Sequence, residues 1–213
     1  MTLGLYVHIP FCRHKCLYCD FPSYAGLERY RDGYVQALCR DIAASPYAGE
    51  EADTIYIGGG TPSLLAAGEI GRILETLRRT FRIADDAEIT MEANPDSLSY
   101  DKAAALADCG VNRLSLGVQS FSDAMLAFLG RVHTAAQGER AIQAAYDAGI
   151  HNLSLDLMYG LPGQTLADVR RDVERLSQLP VVHASIYSLI VEEGTQLKAG
   201  LEKGDWQLPP DAA

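Results

Sequence analysis

Residues 3–19 read Leu3-Gly-Leu-Tyr-Val-His-Ile9-Pro-Phe-Cys12-Arg-His-Lys-Cys16-Leu-Tyr-Cys19. The first seven residues carry β-branched and aromatic side chains and stop at a proline, which reads as a strand. Three cysteines spaced C-x3-C-x2-C follow at once. A strand that runs straight into chemistry-bearing residues is the habit of parallel α/β folds, where function gathers at the carboxyl ends of strands.

Working outward, the same unit recurs. Strands are expected at Leu3–Ile9, Thr54–Ile57, Glu88–Glu92, Arg113–Gly117, Leu153–Met158 and Ala184–Leu189. Between them apolar residues recur at a helical period: Tyr34, Leu38 and Ile42 share one face, as do Ile70, Ile73, Leu74 and Leu77. Further helices fit Tyr100–Asp108, Ala135–Ala148 and Leu166–Gln178, and Gly110 and Gly149 stand where helices end before a strand. Strand–helix alternation implies a parallel sheet with right-handed crossovers. Eight units would close a barrel. Six make the expected fold α/β, a partial (β/α)6 TIM-like barrel, with a doubly wound sheet as the second choice. In either fold Cys12, Gly58-Gly59-Gly60, Glu92, Gln119 and Asp156 fall at or near strand ends.

Composition narrows the function classes. The chain has 213 residues, 48% of them hydrophobic, enough for one large domain with a real core. A net charge of −10 argues against a nucleic-acid footprint, and neither Arg13-His14-Lys15 nor Arg78-Arg79 makes a basic stripe. No apolar run approaches the ~20 residues that span a bilayer. The N-terminus lacks a basic n-region and a small-residue cleavage site, so a cytoplasmic protein is expected. Five cysteines are an odd number, and three of them crowd into eight residues. In a reducing compartment such a cluster reads as a metal site rather than a disulfide framework.

Three thiolates on one tight loop, Cys12, Cys16 and Cys19, can hold three irons of a [4Fe–4S] cubane and leave the fourth iron open to a chelating ligand. The alternative is zinc, with His14 or Asp20 as fourth ligand, although zinc sites usually bring two paired ligand sets and here there is one. Arg13, His14 and Lys15 are expected to place positive charge near the thiolates. Cys39 and Cys109 stand alone in helical patterns and read as small core residues.

The loop, with an aromatic Tyr18 before its third cysteine, resembles the radical S-adenosylmethionine (SAM) superfamily. Tyr6-Val-His-Ile-Pro-Phe-Cys12, Gly58-Gly-Gly-Thr-Pro-Ser63, Glu92-Ala-Asn-Pro95, Gly117-Val-Gln-Ser-Phe121, Leu129-Gly-Arg-Val-His133 and Asp156-Leu-Met-Tyr-Gly-Leu-Pro-Gly163 together resemble the oxygen-independent coproporphyrinogen III oxidase family. The likeness runs from about Leu5 to Gly194. Within that family it is closer to the haem chaperone branch. The oxidases carry a further cysteine two residues after the third, where this chain has Phe21.

The resemblance implies a [4Fe–4S] cluster on Cys12, Cys16 and Cys19 and SAM at its open iron. It assigns the methionyl amino group to Gly59, Gly60 and Glu92, with Thr61 on the same turn. It gives the carboxylate to Arg131, whose planar fork suits a carboxylate, and the ribose hydroxyls to Gln119 and Asp156. Tyr6 is assigned to the cluster region, with a core tyrosine as the equal alternative. His133 and His151 are available as haem ligands, but a structural role fits each as well. Residues 1–195 are expected to form the partial barrel, and 196–213 a polar tail that starts a missing C-terminal domain. The first functional reading is a haem chaperone with haem as cargo, a haemoprotein acceptor and an electron donor such as a flavodoxin or ferredoxin, with peripheral membrane contact allowed and no nucleic acid. The second is oxidative decarboxylation of coproporphyrinogen III in porphyrin biosynthesis; a methylating radical enzyme is a third. Where chemistry occurs, one-electron cleavage of SAM to methionine and a 5′-deoxyadenosyl radical is implied.

Overall fold

The computed structural model describes residues 2–209. Strands β1 (Leu3–Ile9), β2 (Glu51–Gly59), β3 (Arg82–Ala93), β4 (Arg113–Gln119), β5 (Asn152–Tyr159) and β6 (His183–Ser188) pair in chain order. Every pairing is parallel. With each crossover passing to the next neighbour and a fixed hand, the sheet curls in one direction. β1 and β6 are its two ends and do not pair with each other, so the curl is an open partial barrel of six strands.

Side chains alternate across each strand, and here the alternation separates chemistry from packing. Ile55 and Ile57, Ile89 and Met91, Leu114 and Leu116, and Leu153 and Leu155 are all buried in one apolar cluster. Helices α1 (Arg31–Ala43), α2 (Ala67–Thr80), α3 (Tyr100–Cys109) and α5 (Ala135–Asp147) supply the other half of that cluster, among them Val35, Ile70, Ile73, Leu74, Leu77, Leu106 and Ile142. In α1 it is Val35 that is fully buried, while Tyr34, Leu38 and Ile42 pack at its margin. Helix starts are chemically marked. Ser99, Thr134 and Thr165 accept hydrogen bonds from the backbone N–H three residues on, opening α3, α5 and α6 (Leu166–Leu176). Gly110, with φ of 100°, closes α3 in the left-handed conformation that glycine adopts without penalty.

β1 has the expected bounds and β6 is shifted by one residue, while β2 to β5 run longer than periodicity alone indicates, and two helices have no counterpart in the sequence reading. One is α4 (Asp123–Leu129), seven residues long with Leu126 and Leu129 buried, too short to display a helical period. The other is α7 (Gln196–Lys203), inside the stretch read as a polar tail. Leu197 is fully buried there, and Trp206 meets Phe128 of α4 edge-on with ring centroids 5.3 Å apart. Residues 1 and 210–213 of the expected domain and tail lie outside the described residues. Among the described residues no helix is long and apolar enough to cross a membrane.

Leu116, fully buried on β4, and Leu166, 67% exposed on α6, make a direct comparison. Leu116→Ala is expected to cost about 2–5 kcal/mol. Leu166→Ala is expected to stay within about 0.5 kcal/mol. Urea unfolding curves of the two variants check this, and equal midpoints would contradict the assignment of the core.

Candidate functional site

The cysteine loop is tied down along its length. Phe11 and Cys12 pair with Tyr24 and Ala25 in a short parallel ladder beside the main sheet. Gly60 N–H donates to Ile9 O (2.8 Å) and Thr61 N–H to Phe11 O (2.8 Å), which fastens the start of the loop to the turn after β2. Leu17 is held from both sides, its N–H donating to Leu129 O of α4 and its carbonyl accepting from Leu197 N–H of α7. The returning segment is held by Lys15 Nζ, which donates to Phe21 O (2.8 Å) and Ser23 O (3.3 Å). His8 Nε2 lies 2.9 Å from Pro22 O. Since a carbonyl can only accept, Nε2 carries the proton and Nδ1 accepts from the Tyr6 hydroxyl at 3.0 Å.

All five cysteines are free. Cys12, Cys16 and Cys19 line one cavity together with Gly59, Gly60, Thr61, Glu92, Gln119, Arg131 and Asp156. Ten of the eleven residues singled out from sequence therefore meet in one place. Tyr6 does not line this cavity. It is 60% exposed on the end strand β1, bonded to His8, and its ring stacks on Tyr56 (6.2 Å, 23°).

Each residue's setting follows from its place on the sheet. Gly59, at the end of β2, has φ of 114°, and a Cβ there would lie 2.5 Å from the His8 ring. At Gly60 a Cβ would sit 2.7 Å from Phe11 O and 3.1 Å from Cys12 Sγ. Only glycine leaves this side of the cavity open. Glu92 points inward near the end of β3, accepting from Tyr56 OH (2.7 Å) on one oxygen and from Gly59 N–H (3.0 Å) on the other. Thr61 Oγ1 faces Cys12 Sγ at 3.6 Å.

Arg131 closes the opposite wall. Its Nη2 donates to Asn94 Oδ1 and to Gly117 O, both at 2.7 Å, and Nη1 points at Cys16 Sγ, 3.5 Å away. Of the expected basic trio, His14 and Lys15 line the cavity, whereas Arg13 turns to Asp96 (3.1 Å), and the guanidinium beside Cys16 is that of Arg131. Gln119, the last residue of β4, is buried with φ of 69°, beside a register shift in its pairing with β5. This is strained backbone for a residue other than glycine, and its Oε1 accepts from Tyr187 OH at 2.8 Å. Ser115 Oγ reaches Asp156 Oδ1 at 3.4 Å. Burial first, and the Glu92 charge second, push Asp156 up from 3.8 to about 6. Tyr187 is pushed up to about 12 by burial and then by Asp156. Burial also raises the Cys19 thiol.

Asn94, Tyr56, Ser115 and Tyr187 belong to this site and were not singled out from sequence. For Ser115 a signal existed: Arg113, Ser115 and Gln119 are polar at even spacing in a strand whose other side chains are apolar. His133 is buried with Nε2 donating to Val118 O (3.2 Å), and burial pushes it down to about 4, so it is neutral. His151 meets Tyr146 at a tilt of 40°, with ring centroids 4.5 Å apart. Neither histidine lines the thiol cavity.

The donor set fits a multi-iron cluster better than a single ion. Three thiols face one cavity, yet among the described residues no three His, Cys, Asp or Glu side chains close on a point that would hold one metal. Sulfurs that each serve a separate iron need no such convergence. The glycine-lined gap and the half-used Arg131 fork leave room and charge for a ligand bearing an amine and a carboxylate.

Comparison with known proteins agrees with this reading. A family model described as the radical SAM superfamily matches residues 6–176. The chain is 45% identical over 196 residues to the heme chaperone HemW of Escherichia coli (strain K12), covering 91% of this chain and 52% of the relative. It is 41% identical over 208 residues to the heme chaperone HemW of Bacillus subtilis (strain 168), covering 96% and 55%. The solved structure of coproporphyrinogen III oxidase (HemN) from Escherichia coli, described as a radical SAM enzyme, superimposes with a TM-score of 0.87 at 30% identity, covering 99% of this chain and 49% of that one. The chain spans about half the length of the curated relatives it matches.

The raised Asp156 makes a pH prediction. Between pH 4 and 6 the folded protein holds a proton on Asp156 that the unfolded chain has released, so this group's contribution to stability falls as pH rises. Asp156→Asn removes that slope. Relative to the parent, the variant is expected to gain on the order of 1–2 kcal/mol on going from pH 4 to pH 7. Urea unfolding at the two pH values measures the difference, and a gap independent of pH would show that Asp156 titrates normally.

Proposed function

The chain belongs to the radical SAM superfamily, and on that premise we propose that it binds a [4Fe–4S] cluster and SAM and serves as a haem chaperone, carrying haem to a haemoprotein acceptor in the cytoplasm. The observation that carries the proposal is the meeting of Cys12, Cys16 and Cys19 with Gly59, Gly60, Glu92, Gln119, Arg131 and Asp156 on one cavity at the carboxyl ends of the strands. When bound, the cluster and SAM would supply one-electron redox chemistry. The protein's part is orientation and exclusion of water.

In this reading the cysteine trio holds the irons, and Thr61 Oγ1 hydrogen-bonds the Cys12 sulfur. Arg131, already beside Cys16, places positive charge next to an anionic thiolate group. Glu92 is held rigid by Tyr56 and the Gly59 N–H, with acceptor capacity left for an ammonium. Arg131 has five N–H groups, and those not bonded to Asn94, Gly117 and Cys16 take the methionyl carboxylate. Asp156 and Gln119 receive ribose hydroxyls; a hydroxyl donates best to an ionised Asp156, so the ligand draws that proton off. Tyr6 acts at one remove, by stacking on Tyr56. An electron donor of the flavodoxin or ferredoxin type, and any membrane contact, belong to this proposal as well.

The chaperone is preferred to the coproporphyrinogen oxidase for two reasons. The curated relatives reported above are named as heme chaperones, and Phe21 stands where the oxidase pattern has a further cysteine. Phe21 is 61% exposed and lines the cavity, so it offers an apolar surface where the oxidase would offer a thiol.

Two experiments test the proposal. After anaerobic reconstitution, Cys12→Ala, Cys16→Ala and Cys19→Ala are each expected to abolish the 4Fe–4S absorbance, while Cys39→Ala and Cys109→Ala leave it intact; stoichiometric zinc without inorganic sulfide would end the cluster reading. Haem added to the protein is expected to give a shifted Soret band, and coproporphyrinogen III with SAM and reductant no protoporphyrinogen. Carbon dioxide release from coproporphyrinogen would establish the oxidase instead.

A further inference from the structure

A second cavity, of about 620 Å³, adjoins the thiol cavity and shares seven lining residues with it, among them Cys19, Phe21, Glu92 and Asp156. Its wall combines two kinds of surface. Phe21 and Ile190 are 61% and 64% exposed, and Met158, itself buried, lines the same cavity. Exposed apolar groups around a concavity offer a seat for a flat apolar body. The charged groups on the wall are Asp20, Glu92, Asp156 and Glu192, all acidic, and Arg113, the one cation among the lining residues.

Arg113 is poorly satisfied by the protein itself. Its side chain is only 16% exposed, so its charge is largely withdrawn from water. Nη1 donates to Thr90 Oγ1 at 3.2 Å. The nearest carboxylate, Glu88, stands 3.9 Å from Nε and is itself 47% exposed, which is a loose and water-screened pairing. A nearly buried guanidinium facing a cavity with most of its fork unengaged is set to bind a planar anion, and a carboxylate matches that fork in two parallel hydrogen bonds. Arg113 opens β4 while Gln119 ends it, so the guanidinium sits low on the inner face of the sheet, beneath the level of the thiols.

We propose that Arg113 binds a carboxylate arm of a tetrapyrrole lodged in this second cavity, with the macrocycle against Phe21, Met158 and Ile190. The proposal rests on the tetrapyrrole reading above and adds a residue and a ligand group to it. Haem bears two propionate arms, so one can reach down to Arg113 while the ring stays at the apolar rim. The four acids make the rest of the wall unfavourable for a carboxylate, so Arg113 sets where the anionic edge goes.

The test is optical titration of the reconstituted protein with haem and with haem dimethyl ester, in which both carboxylates are masked. Arg113→Gln is expected to weaken haem binding roughly ten- to a hundredfold and leave the ester unaffected, with Arg113→Lys between parent and Gln. Glu88→Gln controls for a merely structural ion pair: it should leave haem binding unchanged or tighter, and a loss equal to that of Arg113→Gln would overturn the proposal. Unchanged cluster absorbance and far-ultraviolet circular dichroism establish that each variant is folded. Equal haem affinity in the parent and Arg113→Gln overturns the role of Arg113 alone. A parent that binds no haem overturns the tetrapyrrole reading, and the proposal with it.

Discussion

The structure depends on an incomplete closure. Six parallel strands curl in one direction but β1 and β6 do not meet. A closed barrel of eight must fill its centre with layers of branched apolar side chains. An open one need not, and here the inward positions carry Tyr56, Glu88, Thr90, Glu92, Arg113, Ser115, Asp156 and Tyr187, while Ile55, Ile57, Ile89, Met91, Leu114, Leu116 and Leu155 on the other side of β2 to β5 are buried and apolar. Because the side-chain period is two, a slip of one residue in any strand would exchange the two sets. Stability and function are thus drawn from opposite faces of one sheet.

On that frame the cysteine loop is the least regular piece, and it is steadied by long-range contacts rather than by its own secondary structure. Its start bonds to the turn after β2, its middle to α4 and α7, and its end to Lys15 and His8. The anchors on the turn after β2, α4 and α7 come from different parts of the chain, so the positions of the three sulfurs depend on the whole fold being formed. Asn94 has a similar linking role. It accepts from Arg131 and donates to Thr61, so one amide joins the two residues that touch Cys16 and Cys12.

Much of this could be read from sequence because the informative residues sit where periodicity changes. All six strands, the helices from α1 to α3, and α5 and α6 follow from alternation and capping, and the C-x3-C-x2-C spacing singled out, before any geometry, the three thiols that share the cavity. What escaped was set by tertiary context. The helix α4 is too short to show a period, and α7 is recognisable only once Leu197 and Trp206 are seen to pack on α4 and the cysteine loop. Tyr56 and Tyr187 look like ordinary strand aromatics; their hydroxyls matter because neighbouring strands carry Glu92 and Gln119. Arg13 was expected to serve the thiols with His14 and Lys15; those two do line the cavity, but Asp96 of the turn after β3 captures Arg13, and the guanidinium beside Cys16 comes from a residue 115 positions away.

The balance of charge explains why the cavity tolerates two facing carboxylates. Glu92 remains a good acceptor because Tyr56 and a backbone N–H already hydrogen-bond it. Asp156 has the serine hydroxyls of Ser115 and Ser185 as donors, yet burial together with the Glu92 charge raises it to about 6. The two carboxylates together call for a compensating cation. Arg131 cannot fully supply that cation, since its fork is divided among Asn94, Gly117 and Cys16. A ligand bringing an ammonium to Glu92 and hydroxyls to Asp156 would complete the set, converting a strained arrangement of acids into a satisfied one. Under the proposed function that ligand is an amino acid joined to a nucleoside, whose ammonium and hydroxyls would answer the two acids.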